Sequence, residues 1–80
     1  MIAATVIDAR GHKCPVPTLR LRKAMETAAP GARLTLLATD PMARIDVPFL
    51  IDQLGGSVVG VEESDGVLAV TVETPAAPTD

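Results

Sequence analysis

Apolar residues run together as IAATVI at positions 2–7 and again as RLTLLA at 33–38, and between these runs their spacing changes. Pro17, Leu21, Ala24 and Ala28 share one helical face, with Met25 at its edge. The two runs predict strands, and the spaced set predicts a helix from Pro15 to about Ala28. Asp8 to Gly11 reads as a turn, and Pro30-Gly31 ends the helix. Asp before Pro marks a helix start, because Asp accepts from exposed amides and Pro fits the first helical position. That signal occurs at Asp40-Pro41 and returns at Asp46-Val47-Pro48. Pro48 would break one continuous helix, so a short turn at 41–45 is expected before a second helix at about 47–54. Val47, Leu50, Ile51 and Leu54 form the buried stripe of that helix, and Gly55-Gly56 ends it. SVVGVEE and VLAVTVE, joined by Ser64-Asp65-Gly66, predict a hairpin. The tail TPAAPTD offers nothing to bury and is expected to be disordered, which puts a single domain at 1–73 and the tail at 74–80.

The order is β-α-β-α-β-β. Two helices with one apolar stripe each are best buried side by side on one face of a four-stranded mixed sheet, an α/β two-layer sandwich. The first two strands are apolar at most positions and not only at alternate ones, so the far face is expected to be partly covered by a partner.

Composition narrows the function. Eighty residues, nearly half of them apolar, suffice for one small core. With one Phe and no Trp or Tyr, stacking on nucleic-acid bases is nearly excluded, and a net charge of −3 disfavours binding to phosphate over the whole surface. No direct nucleic-acid binding is expected. No apolar run approaches the ~20 residues of a membrane span, no signal-peptide pattern opens the chain, and a lone cysteine gives no internal disulfide. A soluble cytoplasmic protein is the expectation.

That cysteine is the principal chemical candidate. In GHKCPVPTLRLRK (11–23), Cys14 stands directly before Pro15 and Pro17. If Cys14 caps the helix, the prolines occupy positions whose N–H groups have no intrahelical partner, and the amides of Val16 and Thr18 remain to face the sulfur. Those amides and the positive helix end favour a thiolate, so the thiol pKa should fall below its free value. A buried apolar filler is the ordinary role of a single cysteine, but it fits a polar, basic, turn-like stretch poorly. An activated, exposed thiol is the preferred reading.

DARGHKCPVPTLRLRKAM (8–25) and ATDPMARIDVPFLIDQLGG (38–56) resemble the TusA/SirA-like sulfur-carrier family over about residues 4–73. Cys-Pro-x-Pro, preceded by Arg-Gly and followed by Lys-Ala, carries the resemblance. It implies a two-layer β-α-β-α-β-β fold and a carrier cysteine, here Cys14, that accepts sulfane sulfur as a persulfide and passes it on. It also implies a sulfurtransferase or sulfur carrier with no cofactor beyond that covalent persulfide. A donor such as a cysteine desulfurase or rhodanese would load Cys14, and an acceptor protein would unload it. Members devoted to tRNA thiolation resemble a form with another cysteine and a histidine near the end of the second helix, where this chain has Ile51 or its neighbours and Gly56.

Five of the seven basic residues, Arg10, Lys13, Arg20, Arg22 and Lys23, lie between positions 10 and 23. Arg10 and Lys13 adjoin the sulfur, where positive charge favours an anion and could also steer an acidic partner, and Arg20 and Lys23 are candidate partner contacts. Arg22 reads as an ordinary solvated residue, and His12 is either a base or merely exposed. Leu19 falls among charged residues on helix 1 and Phe49 lies off the stripe of helix 2, so each is a scattered surface residue or a docking contact. One histidine and one cysteine make no zinc site. Two readings stay open: a sulfur-relay protein, and a non-catalytic regulatory or adaptor module with an incidental cysteine. Thiol peroxidase or disulfide reductase chemistry lacks a resolving cysteine.

Overall fold

The structure, a computed structural model, describes residues 5–13 and 15–75. Its elements are β1 (Thr5–Ala9), α1 (Val16–Thr27), β2 (Arg33–Ala38), α2 (Ala43–Gln53), β3 (Ser57–Ser64) and β4 (Val67–Glu73). They form one four-stranded sheet in the order β1-β2-β4-β3. β1 runs parallel to β2, and both β2–β4 and β3–β4 are antiparallel. The β-α-β-α-β-β order and mixed sheet expected from the periodicity are present.

Alternation along the strands separates the two faces. Ala9, Leu34, Leu36, Ala38, Leu68, Val70 and Val72 are buried beneath the helices. From α1, Pro17, Leu21 and Met25 press onto that face, and from α2, Ala43, Val47, Leu50 and Ile51. On the far face Val6 is 58% exposed, Leu37 is half-buried, and the hydroxyls of Thr35 and Thr71 share a hydrogen bond of 2.9 Å. The turn between β3 and β4 consists of Asp65 and Gly66, both at positive φ (52° and 79°), as a two-residue hairpin turn matching the sheet twist requires.

Three sequence expectations need correction. First, α2 is continuous through Pro48 and begins four residues earlier than expected. The segment expected as a turn enters through i→i−3 bonds: Ala43 N–H to the Asp40 carbonyl, Arg44 to Pro41 and Ile45 to Met42. Ala43 and Val47 are fully buried four residues apart, so core packing outweighs the bond that Pro48 does not donate to the Arg44 carbonyl. Asp46 therefore lies within the first helical turn, near the positive helix end, and caps nothing. Asp40 does accept the Met42 N–H, at 2.9 Å through Oδ1, but it precedes the cap residue Met42.

Second, Met25 lies at the centre of the buried face of α1, while Ala24 and Ala28 flank it half-buried. Gly56 explains this. A Cβ there would meet the Glu73 carbonyl oxygen at 2.7 Å, Met25 Cε at 3.1 Å and Ile51 Cγ2 at 3.3 Å. The long thioether thus fills the space left by a residue with no side chain. Third, Thr74 belongs to the structure and not to a tail. It is buried, donates its N–H to the Ala32 carbonyl (2.8 Å) and its hydroxyl to the Ala29 carbonyl (2.7 Å), and accepts the Ala32 N–H (2.8 Å). Pro75 follows it, its carbonyl accepting the Gly31 N–H at 3.2 Å, and the remaining tail, 76–80, lies outside the described residues.

Gly56→Ala should destabilise the fold by about 2 kcal/mol, because the backbone oxygen of Glu73 cannot yield as a flexible side chain would. Urea unfolding measures it; a midpoint equal to wild type would contradict this packing.

Candidate functional site

Parallel pairing in the register Ala9↔Ala38 puts the carboxyl ends of β1 and β2 side by side, so the segments leaving them are neighbours. The first, 10–13, leads to the amino end of α1, and the second, 39–42, to α2. Between them lies a cleft of about 300 Å³ lined by Gly11, His12, Lys13, Thr39, Asp40 and Pro41. Cys14 itself lies outside the described residues.

The geometry of its neighbours differs from the expected cap. Pro15 is the cap residue (φ −94°, ψ 12°), Val16 opens the helix and Pro17 follows it. The Val16 N–H, expected to remain available to the sulfur, donates to the Lys13 carbonyl at 2.9 Å. Thr18 turns its hydroxyl onto the Pro15 carbonyl at 2.8 Å, and Leu19 N–H bonds the same oxygen at 3.0 Å. Pro17 is fully buried, so besides having no N–H to satisfy it anchors the first turn in the core.

Charge at the site is arranged differently from the simple expectation as well. Arg10 is committed to Asp8: Nε donates to Oδ1 at 2.9 Å, Nη2 to Oδ2 at 2.7 Å, and the backbone N–H to Oδ1 at 3.1 Å. Those side-chain bonds, then the backbone bond, hold the Asp8 carboxyl well below the usual carboxylate range, with the charges of Arg10 and Arg20 adding to the effect. The same pairing raises the Arg10 pKa. The positive charge expected to favour a thiolate is thus largely balanced two residues away. Lys13 is exposed and makes no ion pair among the described residues. Arg20 reaches back from α1 to the Asp8 carbonyl at 3.2 Å, and Lys23 is exposed. Arg22 pairs with Glu26 at 3.6 Å along the solvated face.

Leu19 and Phe49, 56% and 66% exposed, meet across a groove of about 220 Å³ between the helices, with Thr18, Arg22, Asp46, Leu50 and Gln53. Two contributors were not visible in the sequence reading. Asp8 passed as a turn residue, although its spacing from Arg10 was a usable signal. Thr39, whose Oγ1 accepts the Gly11 N–H at 2.8 Å, had no local signal at all.

A family model described as Sulfurtransferase TusA matches residues 5–74. The chain belongs to the TusA family. A putative sulfur carrier protein of Archaeoglobus fulgidus is 43% identical over 68 residues, covering 84% of this chain and 88% of that one. The sulfur carrier protein TusA of Pseudomonas paraeruginosa is 38% identical over 61 residues, 76% and 77% of the two chains. The crystal structure of a SirA-like protein from Desulfitobacterium hafniense superposes with a TM-score of 0.78 at 29% identity, covering 89% of this chain and 97% of that one. The resemblance read from Cys-Pro-x-Pro and its flanks holds. At the place where the resemblance puts a histidine in tRNA-thiolating members, this TusA-family chain has Gly56, which has no room for even a Cβ.

Because the folded-state pKa of Asp8 is depressed, its contribution to stability is present above the ordinary carboxylate value of about 4 and is lost only as pH falls through the lower folded value. A carboxyl titration followed by NMR should find Asp8 ionised well below the usual carboxylate range, and Arg10→Ala should move it back towards that range. An ordinary Asp8 titration in the wild type would show that the pair does not persist in solution.

Proposed function

We propose that this protein is a sulfur-relay carrier in which Cys14 accepts sulfane sulfur as a persulfide and hands it to an acceptor protein. One observation carries the reading: the only thiol of the chain stands in Cys-Pro-x-Pro, between the loop that leaves β1 and the first turn of α1, inside the span matched by the TusA family. In loading, the Cys14 thiolate attacks the outer sulfur of a donor persulfide. A new sulfur–sulfur bond forms, the donor's own breaks, and the donor thiolate leaves and takes up a proton. Unloading repeats the exchange with Cys14 as the leaving thiolate. No external oxidant or reductant is consumed, so neither a metal nor a resolving cysteine is required.

The donor is a persulfide-bearing protein such as a cysteine desulfurase or rhodanese. The acceptor serves tRNA thiolation, sulfur oxidation or cofactor assembly, and the thiol chemistry suits a reducing cytoplasm. Leu19, Phe49, Arg20 and Lys23 are our candidate partner contacts. The exposed apolar groove is also what favours the second reading, a non-catalytic adaptor module.

Mass spectrometry after incubation with a persulfide donor separates the two. A 32 Da adduct (about one sulfur atom) is expected on wild type and absent from Cys14→Ser, which should fold with a stability change within about 0.5 kcal/mol. An unmodified wild-type thiol supports the adaptor reading, and sulfur transfer by the Ser variant would sink the relay.

The thiol of Cys14 should titrate below the free-thiol value of about 8.5, helped by the helix end and Lys13. Because Asp8 already balances Arg10, Lys13→Ala should raise it more than Arg10→Ala. Alkylation rate against pH measures both, and an equal or larger effect of Arg10→Ala would contradict this assignment.

A further inference from the structure

The loop before Cys14 is held by several hydrogen bonds, and nearly all are local. Arg10 N–H goes to Asp8 Oδ1, His12 N–H to the Ala9 carbonyl at 3.2 Å, and Lys13 lends its carbonyl to the Val16 N–H. Each spans three residues or fewer, so these bonds shape the loop without setting how it lies against the sheet. Arg20 reaches the Asp8 carbonyl, which still belongs to β1. Among the bonds between described residues, the one from Gly11 N–H to Thr39 Oγ1, at 2.8 Å, reaches across 28 positions of the chain. Gly11 has φ +83°, a conformation that favours glycine, and in it the amide is directed to Thr39. Thr39 is exposed, stands just past the end of β2, and shares the wall of the 300 Å³ cleft with Gly11, His12 and Lys13. Its hydroxyl therefore contributes a tie between the two strand ends and little to the core.

We propose that Thr39 is a positioning residue for sulfur transfer, its hydroxyl tying the loop that leads into Cys14 to the carboxyl end of β2. The inference rests on the relay reading. Exchange between two sulfurs needs the attacking thiolate in line with the bond that breaks, so small displacements of its backbone slow the reaction. Local bonds alone leave a loop able to turn as a unit about its ends. A bond to the residue that follows β2 restricts that freedom.

The test compares wild type with Thr39→Val, which keeps the side-chain shape and removes the hydroxyl, and Thr39→Ser, which restores it. Loss of one neutral hydrogen bond corresponds to about a fivefold change. In Thr39→Val, Gly11 amide exchange measured by NMR should accelerate about fivefold, and kcat for loading from a persulfidated donor protein should fall about fivefold with KM unchanged. Thr39→Ser should return both to near wild type. Faster exchange with unaltered transfer would overturn the positioning role, as would a Ser variant as slow as Val, or a Val variant with wild-type exchange. A wild-type chain that takes up no sulfur overturns the relay reading and the transfer role together, while Gly11 exchange separately decides whether the tie exists.

Discussion

The parallel pairing of β1 with β2 is the constraint on which the rest of this molecule depends. Parallel neighbours cannot be joined by a tight turn, so the chain must cross over, and α1 is that crossover. The crossover lays Pro17, Leu21 and Met25 on the sheet. Because both strands point the same way, it also returns the amino end of α1 to the edge where β1 and β2 both finish. The segment 10–13, which precedes Cys14 in the sequence, is therefore delivered to a cleft made by two strand ends. The register Ala9↔Ala38, with both residues wholly buried, sets which loop residues confront one another there.

The prolines are used in ways that follow from burial as much as from hydrogen bonding. Pro15 and Pro17 sit where their missing N–H groups cost nothing, and Pro17 also contributes one of the fully buried side chains of the core. Pro48 is the opposite case. It stands inside α2, where a helix considered alone would break, and is exposed while its neighbour Val47 is buried. The helix persists because Ala43, Val47, Leu50 and Ile51 leave water together, and that gain is collective whereas the missing bond is single.

The local electrostatics show why counting basic residues is a weak guide to a site. Five cations lie between positions 10 and 23, yet Arg10 and Arg22 have carboxylate partners on the surface and Arg20 turns to a backbone carbonyl. Exposed pairs of this kind add little to stability. What the Asp8–Arg10 pair does is shape the turn that leaves β1, since one carboxylate receives both the guanidinium and the amide of the same residue. Its effect on the thiol loop is geometric first and electrostatic second.

The order β-α-β-α-β-β, the Asp-Gly hairpin and the placement of Cys-Pro-x-Pro at a helix start were legible in the sequence, because each is written in short-range patterns. Periods of two and about 3.6, a pair of turn residues, and prolines at a helix entrance act within a few positions of themselves. Other features depended on what lay opposite in space. Met25 became central because Gly56 leaves room beside it, and Thr74 joined the core through Ala29 and Ala32. The cleft and the bond from Gly11 to Thr39 needed the strand register, which periodicity leaves undetermined. The sequence by itself thus determined which elements form and which atom is the nucleophile of the proposed chemistry. Tertiary structure alone decided which residues hold the approach to that atom, because bonds between positions 28 apart exist only once β1 and β2 are paired.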